Sequence, residues 1–200
     1  MPRFWTPREN IQRRVRKDKV PYLKWENQGF LLTTQGNIIH YDFIEEEIKK
    51  LSKTYNIQKI AYDRWGTAQL TAHLRDAGFE MVDFGQGFKG FAQPCCELLR
   101  LVLDEKLRHN GQPVLRWMFE NVVVETDAAA NLKPTKQRSG EKIDGAVATI
   151  MALSLAVLQE KKPDPGILVY DSITDTFTRN GVLLDVPKRK PEDQLKKYYW

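Results

Sequence analysis

Two aspartates next to apolar segments are the residues of this sequence best placed to do chemistry. The first, Asp63, follows the mostly apolar run 57–62 and precedes a turn at Trp65 and Gly66. The run predicts a strand, and in an open α/β sheet ligands bind outside the carboxyl ends of the strands. The alternative is that Asp63 only caps the helix predicted after it, because aspartate favours helix starts.

The second aspartate, Asp144, lies in the first turns of a helix predicted over residues 143–158, with Ser139 as its cap. That segment is apolar on nearly every face, which is typical of a buried helix. An unpaired carboxylate in such a helix is costly. Either the helix dipole and Lys142 satisfy Asp144, or its carboxylate faces a metal ion.

The segments around Asp63 predict the unit that positions it. A strand over 57–62, a helix over 67–76 and a second strand over 79–84 follow one another. This order is typical of a right-handed βαβ unit with parallel strands. The glycine-bearing loop at 85–90 lacks the Gly-Lys-Ser/Thr ending of a phosphate-binding loop, so no nucleotide site of that type is predicted there.

Further segments show helical or strand periodicity. Four further helices are predicted: one that starts at Pro7, one over 42–51, one that starts at Pro94 and ends near 109–111, and one over 113–121. The predicted strands are 122–124, 132–136 and two in the tail, 166–170 and 181–184, while 31–39 is either a small hairpin or a plain loop.

Composition narrows the functional class. The 200 residues, 42% of them hydrophobic, suit one domain with a tail. A formal charge of +5 favours an acidic partner, most commonly nucleic acid. The adjacent Cys95 and Cys96 have no nearby Cys or His partner, so we interpret them as reduced thiols and not as zinc ligands. No apolar run reaches the roughly 18 residues of a membrane span, and no secretory signal is recognisable.

Five short motifs in fixed order resemble the nuclease domain of the large terminase subunit of tailed bacteriophages. Their order and spacing match from about residue 4 to residue 160. The motifs are 25–29 (WENQG), 61–63 (AYD), 107–109 (LRH) with 113–117 (PVLRW), 121–124 (NVVV) and 142–146 (KIDGA).

The resemblance implies an α/β fold with a ribonuclease H-like mixed sheet flanked by helices. It also implies a divalent-metal endonuclease, using Mg²⁺ or Mn²⁺, that cuts concatemeric phage DNA during packaging in the cytoplasm of the bacterial host. The central acidic residue of the family falls on Asp63 and the last one on Asp144, which are the expected catalytic and metal-binding residues. The implied partners are double-stranded DNA, the terminase ATPase domain, the small terminase subunit and the portal protein; no membrane partner is expected.

The sequence also departs from the family pattern. The family places a first catalytic aspartate on an opening strand upstream of the stretch seen here at 4–7 (FWTP), and an ATPase domain before that. We therefore expect an N-terminally truncated nuclease domain that lacks the opening strands. The predicted division is a basic N-terminal segment (1–24), a nuclease domain (25–160) and a C-terminal tail (161–200). The alternative function is a catalytically impaired terminase fragment that binds DNA or a packaging partner.

Two further expectations concern surfaces. Basic residues precede the buried helix and should border the same cleft as Asp144, where they would contact DNA phosphates; the alternative is an ordinary basic loop. These residues are Lys133, Lys136, Arg138 and Lys142. A sheet without its opening strands would leave the strand 57–62 with an open edge. We expect this edge to cause dimerisation or aggregation, or to be paired by a tail strand at 167–170.

Overall fold

The computed structural model describes residues 2–158 and three tail strands, Leu168–Asp171, Thr176–Arg179 and Val182–Leu184. The chain forms two compact units, Met1–Leu158 and Gln159–Trp200. All of the predicted site residues lie in the first unit. Within the described ranges, no helix is long and apolar enough to cross a membrane.

The first unit mixes helices with very short strands. Its helices are α1 (Arg8–Asp18), α2 (Tyr22–Asn27), α3 (Tyr41–Ser52), α4 (Ala68–Asp76), α5 (Phe88–Leu103), α6 (Pro113–Glu120) and α7 (Asp144–Leu158). Its strands are β1 (Trp5–Pro7), β2 (Leu32–Thr34), β3 (Ile60–Tyr62), β4 (Met81–Asp83), β5 (Val124–Thr126) and β6 (Leu132–Pro134). The three tail strands are β7, β8 and β9 in chain order.

The described strands form four small sheets, where the sequence analysis expects one mixed sheet. Strands β1 and β2 pair in parallel, β3 and β4 pair in parallel, and β5 and β6 form an antiparallel hairpin. The tail strands form an antiparallel sheet in the order β7-β8-β9. The fold is therefore mixed α/β, with each sheet only two or three strands wide.

The predicted βαβ unit is confirmed as β3-α4-β4. Its strands are parallel and place Tyr62 opposite Asp83, so both carboxyl ends lie at the same edge. The pairing is closed at one end by Ile60 N–H donating to Glu80 O (2.9 Å) and at the other by Phe84 N–H donating to Tyr62 O (3.0 Å). Both strands are shorter than predicted because the backbone pairing covers only three residues on each side.

Two buried clusters hold the first unit together. The N-terminal cluster consists of Ile11, Val20, Tyr22, Trp25, Leu31, Val114 and Met118. The α5–α7 cluster consists of Phe84, Phe91, Leu98, Ile143, Val147, Ile150 and Met151. Burial of one such large side chain stabilises the fold by about 1.5–3 kcal/mol, so each cluster fixes the elements that enter it.

The predicted basic segment 1–24 contributes to the first of these clusters. Ile11 of α1 is 3% exposed, and it packs in the same cluster as Trp25 of α2. Tyr22, Trp25 and Trp117 form an aromatic group with ring centroids 5.6–5.9 Å apart. The predicted boundary between residues 24 and 25 thus runs through a shared core, and the division of the chain there stays a prediction.

Helix α5 differs from its prediction at both ends. It begins at Phe88 instead of Pro94, and Pro94 is buried inside it. The earlier start places Phe91 against Phe84, with ring centroids 5.0 Å apart, and this burial outweighs the backbone hydrogen bond that proline cannot make. The helix ends at Leu103 because Glu105 adopts a left-handed conformation (φ 55°), and Lys106 N–H then bonds back to Leu101 O.

Of the two alternatives for residues 31–39, the structure has the loop. Strand β2 pairs with the distant β1, and residues 35–40 are a loop. The tail strand predicted at 166–170 is present in part as β7. Leu168–Asp171 pairs with Thr176–Arg179 inside the tail's own sheet, because a short antiparallel connection closes more readily than a distant one.

Candidate active site

Asp63 lies immediately after β3, at the carboxyl edge of the parallel pair, and its side chain is half-buried. Asp63 Oδ1 accepts a hydrogen bond from Trp65 N–H (3.2 Å), and Thr67 Oγ1 donates to Asp63 O (2.5 Å). Trp65 N–H precedes α4, so Asp63 shapes the turn that leads to the helix and does not cap the helix itself. The carboxylate is therefore held at the strand end by its own turn.

Other carboxylates near the strand ends are already engaged. Asp83, opposite Tyr62 in the register, is bound by Arg64 through Nη2–Oδ2 (2.7 Å) and Nε–Oδ1 (3.3 Å) contacts. Asp127 accepts N–H groups of Ala129 and Asn131, both at 2.9 Å. Hydrogen bonds from Asn131 hold the pKa of Asp127 below its usual value. Asp83 is thus neutralised by an arginine, and Asp127 serves the β5–β6 turn.

Asp144 is the first residue of α7 and is exposed, while the residues beside it are buried. Its charge is balanced by Lys136, whose Nζ lies 2.8 Å from Asp144 Oδ1. The predicted alternative to a metal was the helix dipole with Lys142, but the cation paired with Asp144 is Lys136. A negative residue at this end of the helix also interacts favourably with the helix dipole.

The start of α7 is fixed by a close packing contact. A Cβ atom on Gly145 would come within 2.7 Å of Phe4 Cε1 and 2.9 Å of Met118 Sδ, so a larger residue does not fit without displacement. On the other side, Ile143 is 1% exposed in the α5–α7 cluster. Asp144 is thereby positioned by buried neighbours on both sides of it in the chain.

Ser139 does not cap this helix, contrary to the prediction. Its hydroxyl donates to Thr135 O (2.7 Å) and accepts from Val123 N–H (3.2 Å). Ser139 therefore ties the loop before α7 to the β5–β6 hairpin. The loop carries Lys136 and Lys142, so this contact also helps to position the basic side chains.

The elements that carry Asp63 and Asp144 are in contact. Helix α7 packs on β3, and Ala61 of β3 packs against the cluster that contains Ile143 and Val147. The structure thus brings together the strand that ends at Asp63 and the helix that starts at Asp144. That the two carboxylates share one metal ion stays a prediction.

The four predicted DNA-contacting residues separate into two pairs. Lys136 and Lys142 line a cleft of about 690 Å³ together with Asp144. Lys133 and Arg138 instead approach Glu125, at 3.4 and 3.7 Å, and Lys133 Nζ also lies over a Phe88 ring (4.8 Å). Two of the four therefore border the predicted cleft, and two are engaged at the hairpin.

Glu125 is the anion that holds the second pair. Desolvation raises its pKa, but a hydrogen bond from Thr135 and the charges of Lys133 and Arg138 lower it by more, so the net shift is downward. The carboxylate therefore stays ionised to lower pH than an ordinary glutamate and keeps both cations beside the hairpin.

The opposite wall of the cleft comes from α1. No pattern in the sequence predicted that this helix lies near Asp144. Arg13, Arg14 and Lys17 line it, together with Asp18. The charge density of segment 1–24 was visible in the sequence, but its position against the 136–144 loop follows from the burial of Ile11. A neighbouring cavity of about 480 Å³ shares Arg14, Lys142 and Asp144 and leads towards Phe4 and Trp5.

The donor chemistry of the two aspartates fits one hard divalent cation. Carboxylate oxygens are the ligands that Mg²⁺ and Mn²⁺ prefer, and Mg²⁺ is often held by one or two carboxylates with water completing the shell. Within residues 2–158 and the described tail strands, no group of three or more His, Cys, Asp or Glu side chains could hold a metal.

The chain is similar to known proteins in sequence. Residues 1–160 match the family model described as the endonuclease domain of the terminase large subunit. The chain is 35% identical over 157 residues to the terminase large subunit of Enterobacteria phage HK97, which covers 78% of this chain and 31% of that protein. It is 32% identical over 187 residues to protein YmfN of Escherichia coli K12, covering 90% of this chain and 39% of YmfN.

The fold is similar to that of a solved relative. The crystal structure of the HK97 bacteriophage large terminase superimposes with a TM-score of 0.70 at 34% identity, covering 76% of this chain and 32% of that one. The chain thus spans between 31% and 39% of the length of the relatives it matches. On the extent of the family match, this chain belongs to the family of terminase large subunit endonuclease domains.

Proposed function

We propose that this chain is a metal-dependent DNA endonuclease domain that cuts concatemeric phage DNA during genome packaging, with Asp63 and Asp144 as its catalytic carboxylates. One observation carries the proposal: in a chain of the terminase endonuclease family, Asp144 opens onto a cleft lined by Lys136 and Lys142. A carboxylate bordered by cations is the combination that cutting a polyanion requires.

The proposed cofactor is Mg²⁺ or Mn²⁺, held by Asp63 and Asp144. When bound, such an ion stabilises the charge that develops on oxygen during an in-line displacement at phosphorus. Asp63 presents its carboxylate from a strand end and Asp144 from a helix start, so backbone structure orients both side chains. Lys136 pairs with Asp144 in this structure, and in this proposal it would turn to a phosphate when Asp144 binds a cation.

The basic side chains have a positioning role in this proposal. Lys136 and Lys142 would neutralise backbone phosphates next to Asp144. Contacts to phosphates fix the register and orientation of the duplex without carrying sequence information. We therefore propose that this cleft holds the scissile strand and that it does not select the cutting site.

We further propose that the small sheets belong to a ribonuclease H-like arrangement. The parallel β3-α4-β4 unit with Asp63 at its carboxyl edge supports this, as does the similarity to the HK97 terminase at a TM-score of 0.70. Double-stranded DNA, the terminase ATPase domain, the small terminase subunit and the portal protein are the proposed partners, and the host cytoplasm is the proposed site of action.

A second function is favoured by one observation. Because the described residues contain no group of three metal-binding side chains, the chain could instead grip DNA or a packaging partner without cutting. Nicking of supercoiled plasmid by the purified chain in Mg²⁺ or Mn²⁺ distinguishes the two. The endonuclease proposal expects metal-dependent nicking that Asp63→Asn and Asp144→Asn abolish. Nicking that persists in the double variant would refute it, and DNA binding without nicking would favour the second function.

A further inference from the structure

The strongest feature that the proposed function does not use is the basic face of α1. Arg13, Arg14 and Lys17 form one wall of the 690 Å³ cleft, and the loop that carries Lys136 and Lys142 forms the other. A second surface depression on α1 is lined by Arg13, Arg16 and Lys17 together with Glu9 and Gln12. The basic face therefore continues from the cleft onto the exposed side of the helix.

The salt bridges within residues 2–158 do not include these cations. Among residues 2–158, no carboxylate lies within ion-pair distance of Arg13, Arg14 or Lys17, whereas Arg8 of the same helix approaches Glu26 at 3.7 Å. Arg13 Nη2 donates to the uncharged Asn10 Oδ1 (3.1 Å). Five basic residues line the cleft against three carboxylates, which are Asp18, Glu141 and Asp144. Asp144 pairs with Lys136, while Tyr22 donates a hydrogen bond to Asp18 (3.1 Å) that leaves its charge in place. The cleft thus keeps an excess of positive charge.

Helix stability explains part of the pattern. Cations in the last turn favour the helix dipole, which accounts for Arg16 and Lys17. Arg13 stands four residues after Glu9, a favourable spacing, and four residues before Lys17, an unfavourable one. The helix is held in place by Ile11, which is buried, and by Val15, which packs against the same cluster. A firmly anchored element thus presents Arg13, Arg14 and Lys17 to the cleft.

We propose that α1 is a DNA-backbone contact, in which Arg13, Arg14 and Lys17 bind phosphates of the strand that passes Asp144. This inference rests on the proposed DNA function and adds a second wall to the cleft. The side chains reach phosphates from the side opposite Lys136 and Lys142, so the backbone lies between two cationic surfaces. Cations that contact phosphates release counterions, which makes the affinity fall steeply with salt.

The experiment is a salt titration of duplex binding by the full chain. A short fluorescein-labelled duplex of mixed sequence is titrated at several salt concentrations with wild type and with the variant Arg13→Gln, Arg14→Gln, Lys17→Gln. The plot of log affinity against log salt has a negative slope, and each lost phosphate contact reduces its absolute value by about 0.9. We therefore expect the absolute slope of the variant to be smaller by about 2–3. The charge-matched control replaces three exposed lysines outside the lining of the cleft, Lys24, Lys50 and Lys53, with Gln. The salt slope of this control should stay near the wild-type value.

The outcomes separate this inference from the proposed function. A wild-type chain that does not bind the duplex refutes the DNA function itself. Wild-type binding with an unchanged slope in the α1 variant, or an equal fall in the control, overturns the α1 contact alone. Polyglutamate is the competing ligand. If it binds wild type as tightly as the duplex does, and if the α1 variant loses both affinities equally, the basic face binds an acidic protein and the DNA contact is overturned.

A second variant guards against misfolding of the first. Arg13→Gln with Lys17→Gln changes only exposed side chains and leaves the half-buried Arg14 in place. Circular dichroism identifies which variants are folded. The double variant should reduce the absolute salt slope by about 2. An unchanged slope in the folded double variant is by itself enough to contradict the contact.

Discussion

Lys136 Nζ lies 2.8 Å from Asp144 Oδ1, so one of the two candidate metal ligands is paired with a cation that the chain itself supplies. Both side chains are more than half exposed, at 61% and 58%. Solvent and salt screen such a pair, and exposed pairs contribute only about 0–1 kcal/mol to stability. Asp144 can therefore exchange Lys136 for another cation at little cost, and Lys136 can move to a phosphate.

We expect Lys136→Ala to leave the fold intact and to weaken DNA binding. The free energy of unfolding should change by less than about 1 kcal/mol, since the pair with Asp144 is exposed. Mn²⁺ affinity should not fall, because the substitution removes a competitor for Asp144. Chemical denaturation, duplex titration and Mn²⁺ titration measure the three effects. Arg138→Ala, which affects a cation beside Glu125, is the matched control; weaker Mn²⁺ binding in Lys136→Ala would contradict the exchange.

A second prediction concerns the packing that positions Asp144. We expect Gly145→Ala to destabilise the chain by about 1–3 kcal/mol, because the new methyl would lie 2.7 Å from Phe4 Cε1 and 2.9 Å from Met118 Sδ. In an unstrained helix the same change would be stabilising. Gly140→Ala is the control, since its Cβ meets no atom within 4 Å. A Gly145→Ala variant with wild-type thermal stability would show that the helix start is not tightly packed.

The third prediction is a pH dependence at the β5–β6 hairpin. The folded-state pKa of Glu125 lies below the usual value of a glutamate, so its contribution to stability is present above that usual value and is lost as the pH falls through the lower folded-state pKa. Glu125→Gln should therefore reduce the melting temperature near neutral pH and flatten its decline at acidic pH. Glu46→Gln, on the exposed side of α3, is the comparison variant. Parallel acid profiles for wild type and Glu125→Gln would refute the assignment.

Local sequence signals predicted much of the fold. The βαβ unit, the helix that begins at Pro113 and the β5–β6 hairpin all follow from patterns within short stretches of chain, and all are present. Helix α7 is buried along much of its length, with Ala146 and Ile150 nearly inaccessible. These features were predictable because periodicity and turn residues act over neighbouring residues.

The features that local patterns did not predict involve choices between distant partners. Strand β2 pairs with β1, and the register places Leu32 opposite Trp5, which lies twenty-seven residues earlier in the chain. No local pattern distinguishes this pairing from a hairpin. Ser139 bonds to Val123 instead of capping α7. The α1 wall of the cleft was missed for the same reason, since Arg13 and Asp144 meet only through the tertiary burial of Ile11.

The central claim is that Asp63 and Asp144 hold one divalent ion between them, and a Mn²⁺ titration calorimetry cycle tests it most directly. Wild type, Asp63→Asn, Asp144→Asn and the double variant are compared. Asparagine keeps the oxygen that accepts from Trp65 N–H, so the turn at Asp63 should survive. Mutating even a residue that only supports a ligand costs about 10- to 100-fold in metal affinity. We predict that each single variant loses wild-type Mn²⁺ binding by at least that much and that the double variant loses little more. Two independent, additive losses, or wild-type binding in either single variant, would contradict a shared site.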